Sequence, residues 1–92
     1  MKYEWDEAKN DVNILKHGID FNDAVELFQG NRLIFNDYRK DYGEERFITM
    51  GRISNRLMVV VYTQRPLGII RIISIRKANS REKERFEKSI KN

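Results

Sequence analysis

The sequence predicts a small α+β fold, in which two N-terminal helices and one C-terminal helix pack on one face of an antiparallel sheet of three to four strands. Three observations support this prediction. Apolar residues recur at helical spacing in the first 30 residues, β-branched runs fill residues 32–77, and a helix-capping pattern begins near residue 79. With 92 residues, of which 40% are hydrophobic, the chain is expected to form one domain over residues 1–92.

Two short helices are predicted before the sheet, after a short extended segment at residues 3–5. Asp6 is a suitable N-cap for the first helix, and Gly18 is suited to end it in the left-handed conformation. The second helix is expected to begin near Asp20 and to end at Gly30. The apolar residues of the first helix predict the face that it buries: Ala8, Val12, Ile14 and Leu15.

The middle of the chain has the composition of β-strands, which are predicted at residues 32–37, 44–53, 56–63 and 69–77. The unbroken apolar run 57–62 predicts a central strand that is covered on both faces. Strict alternation in the last strand places Arg71 on one face with three isoleucines, and places Ser74 and Arg76 on the opposite face. The same alternation places Glu45 on the buried face of its strand.

A third helix is predicted after the last strand. Asn79 followed by Glu82 forms a capping box, in which each residue satisfies a free amide of the other. Only Phe86 and Ile90 form an apolar pair along this helix, so it is either loosely docked or covered by a partner.

The net charge of +4 is concentrated at the C-terminal end. Residues 71–92 contain eight basic and three acidic residues, whereas the remainder contains ten basic and eleven acidic residues. This distribution indicates a polyanionic partner, either nucleic acid or an acidic protein. The absence of Cys and the single His exclude thiolate and multi-His metal centres, so neither a metal nor another cofactor is expected. No segment resembles a membrane span or a signal peptide, and a cytoplasmic location without membrane contact is expected.

The available side chains suit one reaction class, the metal-independent cleavage of RNA. In that reaction the 2′-OH of the substrate is the nucleophile, and the protein supplies a base, an acid and cations that stabilise the charged phosphorus centre. Arg71 either contacts a partner carboxylate or a ligand such as phosphate, or is an edge arginine that reaches water. Arg76 and Lys77 lie between a strand end and a helix N-terminus, where they form either an anion site or an ordinary charged surface.

Three further residues are candidates on the same grounds. His17 is either a general base or acid, or a helix C-terminal residue that interacts with free carbonyls. Glu45 is either a base or the partner of an arginine. Arg65, at the end of the central strand, is either a turn residue or part of a site at the strand ends.

Six motifs follow one another along the whole chain: Tyr3-Glu4-Trp5-Asp6 with Lys9 and Asn13, Lys16-His17-Gly18-Ile19 with Phe21 and Ala24, Gly43-Glu44-Glu45-Arg46-Phe47, Met50-Gly51, Val59-Val60-Val61-Tyr62-Thr63, and Arg71-Ile72-Ile73-Ser74-Ile75-Arg76-Lys77-Ala78. This order of motifs resembles the BrnT family of type II toxin–antitoxin ribonucleases.

This resemblance implies a RelE-like fold and endoribonucleolytic cleavage of mRNA, free or on the ribosome, that arrests growth. It implies neutralisation by a BrnA-type antitoxin, which carries the DNA-binding domain, so that contact with DNA is indirect. Carried over by position, the site residues are His17, Glu45, Arg46, Arg71, Ser74, Arg76 and Lys77. His17, Glu45, Arg71 and Arg76 are taken as catalytic, and Arg46, Arg65, Ser74 and Lys77 as RNA-binding. Phe86 stands where many relatives have Tyr, so a phenol is missing there.

Two other functions fit the same features. A non-catalytic basic module that binds nucleic acid or an acidic protein would use the C-terminal charge alone. A degenerate toxin would be retained for its antitoxin complex and for control of its operon. Both would be harmless when expressed, and only the first would bind nucleic acid with a strong dependence on salt.

Overall fold

The computed structural model describes residues 2–90, which form a five-stranded mixed sheet and three α-helices. The elements in chain order are β1 (Lys2–Glu4), α1 (Glu7–His17), α2 (Ala24–Gln29), β2 (Leu33–Asn36), β3 (Phe47–Ile53), β4 (Arg56–Arg65), β5 (Ile69–Lys77) and α3 (Ser80–Ile90). Single turns of 3₁₀-helix at Phe21–Asp23 and Pro66–Gly68 precede α2 and β5.

The sheet has the strand order β1-β5-β4-β3-β2. Strands β2 to β5 are antiparallel neighbours, whereas β1 pairs in parallel with the first three residues of β5. The prediction of three to four strands in an antiparallel sheet is therefore wrong, because the sheet has five strands and is mixed. The segment that forms β1 has only three residues, too few for alternation to identify a strand, and its partner lies more than 60 residues away.

Helices cover both faces of the sheet, so the prediction of helices on one face is also wrong. One face carries the main core, in which Phe21, Leu27 and Phe28 pack on the strands. On the opposite face α3 places Phe86 against Met50 and the neighbouring Val59 and Ala78. The central β4 is buried on both sides, as the apolar run in its sequence predicts. We refer to the side of the sheet that α3 covers as the α3 face.

Helix α1 is attached through two buried asparagines. The Asn13 side chain accepts from the Ile75 amide at 3.3 Å and donates to the Ile19 carbonyl at 3.1 Å. The Asn10 side chain accepts from the Phe21 amide at 2.9 Å and donates to Asp20 at 3.0 Å. Because β1 ends opposite residue 71, the Ile75 amide faces an open sheet edge, and Asn13 supplies the acceptor that a further strand would provide.

The prediction that α1 buries its apolar residues is wrong, because the helix buries its two asparagines instead. The apolar residues point to solvent: Ala8, Val12, Ile14 and Leu15, of which Leu15 is 89% exposed. The predicted boundaries of α1 and the predicted start of α3 are confirmed, whereas α2 begins at Ala24 because the residues after Asp20 form a 3₁₀ turn. Asp6 accepts from the first-turn amides of α1, and Gly18 ends the helix with a φ of 70°. Asn79 and Glu82 form the reciprocal capping box of α3, with both hydrogen bonds at 2.9 Å.

Strand β5 contains a β-bulge. Ser74 lies opposite Val61 of β4, but the next residue of β4, Tyr62, lies opposite Ile72, so Ile73 is the extra residue. A bulge shifts the alternation of side chains on one strand relative to its partner. Residues before and after Ile73 therefore do not follow the parity that strict alternation predicts.

We expect Asn13→Ala to lower the free energy of unfolding by about 1–3 kcal/mol, because it leaves a buried amide and a carbonyl without partners. The control is Leu15→Ala in the same helix, which removes an exposed side chain and is expected to change stability by less than about 0.5 kcal/mol. Urea denaturation of both variants measures the difference. A larger loss in Leu15→Ala would contradict the polar attachment of α1.

Candidate active site

The bulge in β5 brings three predicted site residues to the α3 face. Side chains directly opposite one another in antiparallel strands share a face of the sheet. Arg76 lies opposite Val59, and Ser74 lies opposite Val61. Arg71, on the other side of the bulge, lies opposite Thr63 and is on this face as well. The prediction that Arg71 points away from Ser74 and Arg76 is therefore wrong, because Ile73 resets the alternation between them.

Arg76 is held by a two-pronged ion pair with Glu82 of α3. Its Nη1 and Nη2 donate to the two carboxylate oxygens at 2.8 and 2.9 Å, and Nη1 also donates to the Lys77 carbonyl at 3.2 Å. Within residues 2–90 no hydrogen bond uses Nε or the second Nη2 hydrogen of Arg76. These two donors form the other edge of the planar guanidinium, which has the geometry that matches two phosphate oxygens. The Arg76 side chain is 43% exposed.

The ion pair also sets the protonation of Glu82. The hydrogen bonds from Arg76 lower the pKa of the Glu82 carboxyl below its usual value, and Glu82 in turn raises the pKa of Arg76. A carboxylate with a lowered pKa is a weak proton acceptor. Glu82 is therefore suited to orient Arg76 and to cap α3, because one of its oxygens also accepts from the Asn79 amide.

Arg71 has a carboxylate partner of its own on β1. The Arg71 guanidinium forms a short ion pair with Glu4, which lies opposite it in the parallel pairing of β1 and β5. The Arg71 side chain remains about one-third exposed. The sequence left open whether Arg71 contacts a carboxylate or a ligand, or is a free arginine at the sheet edge. The structure shows the carboxylate partner, Glu4.

Two more predicted arginines cluster at this end of the sheet. Arg65 and Arg46 each lie 3.8 Å from a carboxylate oxygen of Glu44. The Arg46 guanidinium also lies over the ring of Tyr42, 4.0 Å from its centre. Arg65 lies two residues after Thr63, the residue opposite Arg71, and Arg46 lies near Arg65 because both approach Glu44.

Glu45 is exposed, contrary to the prediction of a buried carboxylate. Strand β3 begins only at Phe47, so the alternation used for that prediction does not extend to Glu45. Its carboxylate accepts from Asn36 at 3.1 Å, and its carbonyl accepts from the Thr63 hydroxyl at 2.6 Å. Because Thr63 is opposite Arg71, Glu45 lies at the Arg71 end of the site.

His17 and Ser74 line one groove of about 390 Å³ at the open edge of β5. Asp6, Lys9 and Lys16 of the α1 region contribute to the same groove. His17 is half-buried at the last position of α1, which the Asn13 contact fixes against β5. The structure therefore brings His17 next to Ser74, although the two residues are 57 positions apart.

Lys77 is separated from the other predicted residues. It follows Arg76 directly, but consecutive strand residues point to opposite faces, and Lys77 lines a different groove beside Arg52 and Lys83. Phe86 is 2% exposed and packs in the core under α3.

A further groove, of about 710 Å³, separates α3 from β2 and β3. Its apolar lining residues are Phe35, Ile48 and Met50, and its basic residues are Arg81, Arg85 and Lys88. The Arg85 guanidinium lies 4.4 Å from the centre of the Phe35 ring. Glu82 and Glu84 also line this groove on the α3 face, which therefore combines an apolar floor with three basic and two acidic side chains.

The chain is similar to known proteins in sequence and in fold. A family profile described as "Ribonuclease toxin, BrnT, of type II toxin-antitoxin system" matches residues 5–82. The chain belongs to the BrnT family. The crystal structure of the Brucella abortus ribonuclease toxin BrnT matches with a TM-score of 0.72 and 30% sequence identity, over 87% of this chain and 99% of the Brucella chain.

A comparison with curated proteins finds no match. No helix within residues 2–90 is long and apolar enough to cross a membrane. In the same residues no three His, Cys, Asp or Glu side chains lie close enough to hold a metal ion together. The relation of this BrnT chain to RelE-type toxins and its organisation as one domain over residues 1–92 stay predictions.

The sequence indicated neither Glu4 nor Glu82 as a site residue. Glu82 was identified as half of a capping box, and its second contact, with Arg76, needs the fold of α3 onto β5. Glu4 lies within the Tyr3-Glu4-Trp5-Asp6 motif, but its role depends on the parallel pairing of β1.

The Arg76–Glu82 pair predicts an acid-dependent loss of stability. Because the pKa of Glu82 is lowered in the folded chain, the unfolded chain binds more protons, and stability falls as the pH drops below the ordinary value of 4.5. Glu82→Gln removes this contribution, so its free energy of unfolding is expected to decline less steeply between pH 5 and 3. Urea titrations at several pH values measure the difference.

The matched control is Glu84→Gln, which removes an exposed carboxylate of the same helix that pairs only with Lys88. It is expected to follow the unsubstituted chain over the whole pH range. Parallel pH profiles for Glu82→Gln and the unsubstituted chain would show that the Arg76–Glu82 pair does not stabilise the fold.

Proposed function

We propose that this BrnT chain is a metal-independent endoribonuclease that cleaves mRNA on the α3 face and thereby arrests growth. The observation that carries the proposal is the free edge of Arg76, which Glu82 orients while leaving two donors for a phosphate. Arg71 supplies a second cation on the same face. Membership of a ribonuclease toxin family supports RNA as the substrate. A messenger RNA substrate implies action in the cytoplasm.

The proposed reaction is transfer of the phosphate to the neighbouring 2′-oxygen. A base removes the 2′-OH proton, the 2′-oxygen forms a bond to phosphorus, the bond to the 5′-oxygen breaks, and an acid protonates the leaving oxygen. The products are a 2′,3′-cyclic phosphate and a 5′-hydroxyl end. Arg76 and Arg71 neutralise the charge that develops on the phosphate oxygens, which is the largest contribution that fixed donors make to such reactions.

His17 and Glu45 are the proposed proton carriers. His17 shares a groove with Ser74, in the middle of the strand that carries both arginines. Glu45 lies beside Thr63 at the Arg71 end. An imidazole can both accept and donate a proton, which favours His17 for transfer in both directions. Arg46, Arg65 and Ser74 are proposed to bind RNA along the same face.

We expect Arg76→Ala to reduce cleavage of a single-stranded RNA by roughly 10²–10³-fold, because it removes the oriented donors. Arg76→Lys keeps the charge but not the planar fork, and is expected to recover only a small part of the rate. Cleavage by purified protein, with product ends identified as cyclic phosphate, measures the effect. The rate is expected to be unchanged in excess EDTA.

The matched control is Lys40→Ala, an exposed cation on the segment between β2 and β3. It is expected to keep full activity. The cleavage rates of His17→Ala and Glu45→Ala are measured over a range of pH. A variant that lacks the base loses the rise in rate at low pH, and a variant that lacks the acid loses the fall in rate at high pH. Full activity of Arg76→Ala, or activity that requires a divalent cation, would refute the proposed mechanism. RNA binding without cleavage by the unsubstituted chain would instead favour the non-catalytic module.

The toxin–antitoxin family implies an antitoxin partner, which we propose is of the BrnA type. We propose that an acidic segment of that antitoxin enters the groove beside α3. The groove offers apolar contacts at Ile48 and Met50 and positive charge at Arg81 and Arg85, which complements an amphipathic acidic segment. An antitoxin bound there would block access of RNA to the α3 face.

We expect Arg81→Glu with Arg85→Glu to weaken antitoxin binding by at least tenfold, through repulsion of the acidic segment. Binding of a purified BrnA-type antitoxin, followed by calorimetry, measures the effect. Lys9→Glu with Lys16→Glu changes the net charge equally on α1 and is expected to leave the affinity unchanged. Equal affinity for both double variants would exclude this groove as the docking surface.

A further inference from the structure

Four basic side chains surround a second groove, at the end of the sheet opposite Arg71. This basic groove has a volume of about 380 Å³ and lies between the β3–β4 turn, the end of β5 and the side of α3. Its basic residues come from three elements: Arg52 from β3, Arg56 from β4, Lys77 from β5 and Lys83 from α3. Glu87 is the one acidic residue in its lining.

The cations of the basic groove differ from those of the candidate active site in their pairing. Within residues 2–90, none of the four forms an ion pair, whereas Arg71 and Arg76 each have a carboxylate partner. Like charges brought together without counter-charges repel each other, and the repulsion is relieved when an anion binds between them. A concave surface on which basic residues outnumber acidic residues four to one therefore favours a polyanion.

The positions of these cations are fixed by regular structure. Ser54 and Asn55 form a two-residue turn with φ values of 50° and 65°, a conformation that joins adjacent strands tightly. This turn holds Arg52 and Arg56 on neighbouring strands. Arg52 is further positioned over the ring of Phe86, 5.2 Å from its centre. The charge of the groove is thus organised before a ligand arrives.

The basic groove continues the proposed path of the RNA. Leu57 and Ala78, which pack with Phe86 on the α3 face, also line the basic groove, so the groove adjoins that face. Apart from its charged residues, the lining consists of Asn55, Leu57 and Ala78, with no aromatic side chain to stack on a base. This composition favours contact with phosphates over recognition of bases.

We propose that the basic groove binds the sugar–phosphate backbone of RNA outside the cleaved linkage, and so contributes affinity that does not depend on sequence. The identity of the polymer rests on the proposed function, whereas the phosphate-binding role rests on the four uncompensated cations. Arg52, Arg56 and Lys83 are then RNA-binding residues in addition to Lys77.

The test uses a 2′-O-methyl oligoribonucleotide, which retains every phosphate but lacks the hydroxyl that cleavage requires. Each cation that contacts a phosphate of a single strand contributes about 0.7 to the slope of log affinity against log salt. Arg56→Gln with Lys83→Gln is expected to reduce that slope by about 1.4 and to weaken binding by roughly 10- to 30-fold at 0.1 M salt.

The matched control is Lys2→Gln with Lys40→Gln, which removes the same charge from exposed positions outside the groove. It is expected to keep the slope of the unsubstituted chain. Equal slopes for the two double variants would overturn the proposal. All four replaced side chains are exposed, and equal thermal unfolding temperatures verify that the variants are folded.

The two proposals fail in different ways. If unmodified RNA is not cleaved but Arg56→Gln with Lys83→Gln still lowers the slope of log affinity against log salt, the proposal for the basic groove is retained and the nuclease proposal is refuted. If RNA is cleaved but both double variants keep the slope, the nuclease proposal is retained and the basic groove is refuted.

Discussion

The pairing of β5 with β4, together with its bulge, is the constraint on which the rest of the molecule depends. One extra residue, Ile73, lets the strand bury isoleucines in the core on both sides of the bulge while Arg71 and Arg76 share the opposite face. A regular strand would have to place one of these two arginines against the core or give up an isoleucine. The bulge thus reconciles a continuous core with a continuous charged face.

Two arrangements of positive charge follow from this strand. On the α3 face, carboxylates hold Arg71 and Arg76 in fixed orientations, and the capping box that starts α3 also orients Arg76 through Glu82. In the basic groove, Lys77 and its neighbours have no carboxylate partner among the described residues and keep their full charge. Paired arginines suit positioned contacts with one phosphate, and unpaired cations suit capture of a flexible chain.

Local rules predicted the elements but not the long-range contacts. Asp6, Gly18 and the Asn79–Glu82 pair follow from capping chemistry, which depends on residues a few positions apart. β1 has only three residues, and it pairs with β5 only after the intervening helices and strands have folded and brought the two segments together. The bulge left no signal in the isoleucine-rich run of β5. The apolar spacing in α1 predicted the wrong buried face. The open sheet edge needs a hydrogen-bond acceptor, which Asn13 of the helix supplies.

The attachment of α1 through asparagines gives this part of the molecule its own dependence on temperature. Apolar burial weakens on cooling, because exposure of apolar surface raises the heat capacity, whereas exposure of polar surface lowers it. Separation of α1 from the sheet edge would break the hydrogen bond from the Ile75 amide to Asn13, and the side chains that α1 buries are those of Asn10 and Asn13, both polar. The heat-capacity change of this local opening is therefore small. The helix that carries His17 stays attached in the cold, where the apolar core loses part of its stability.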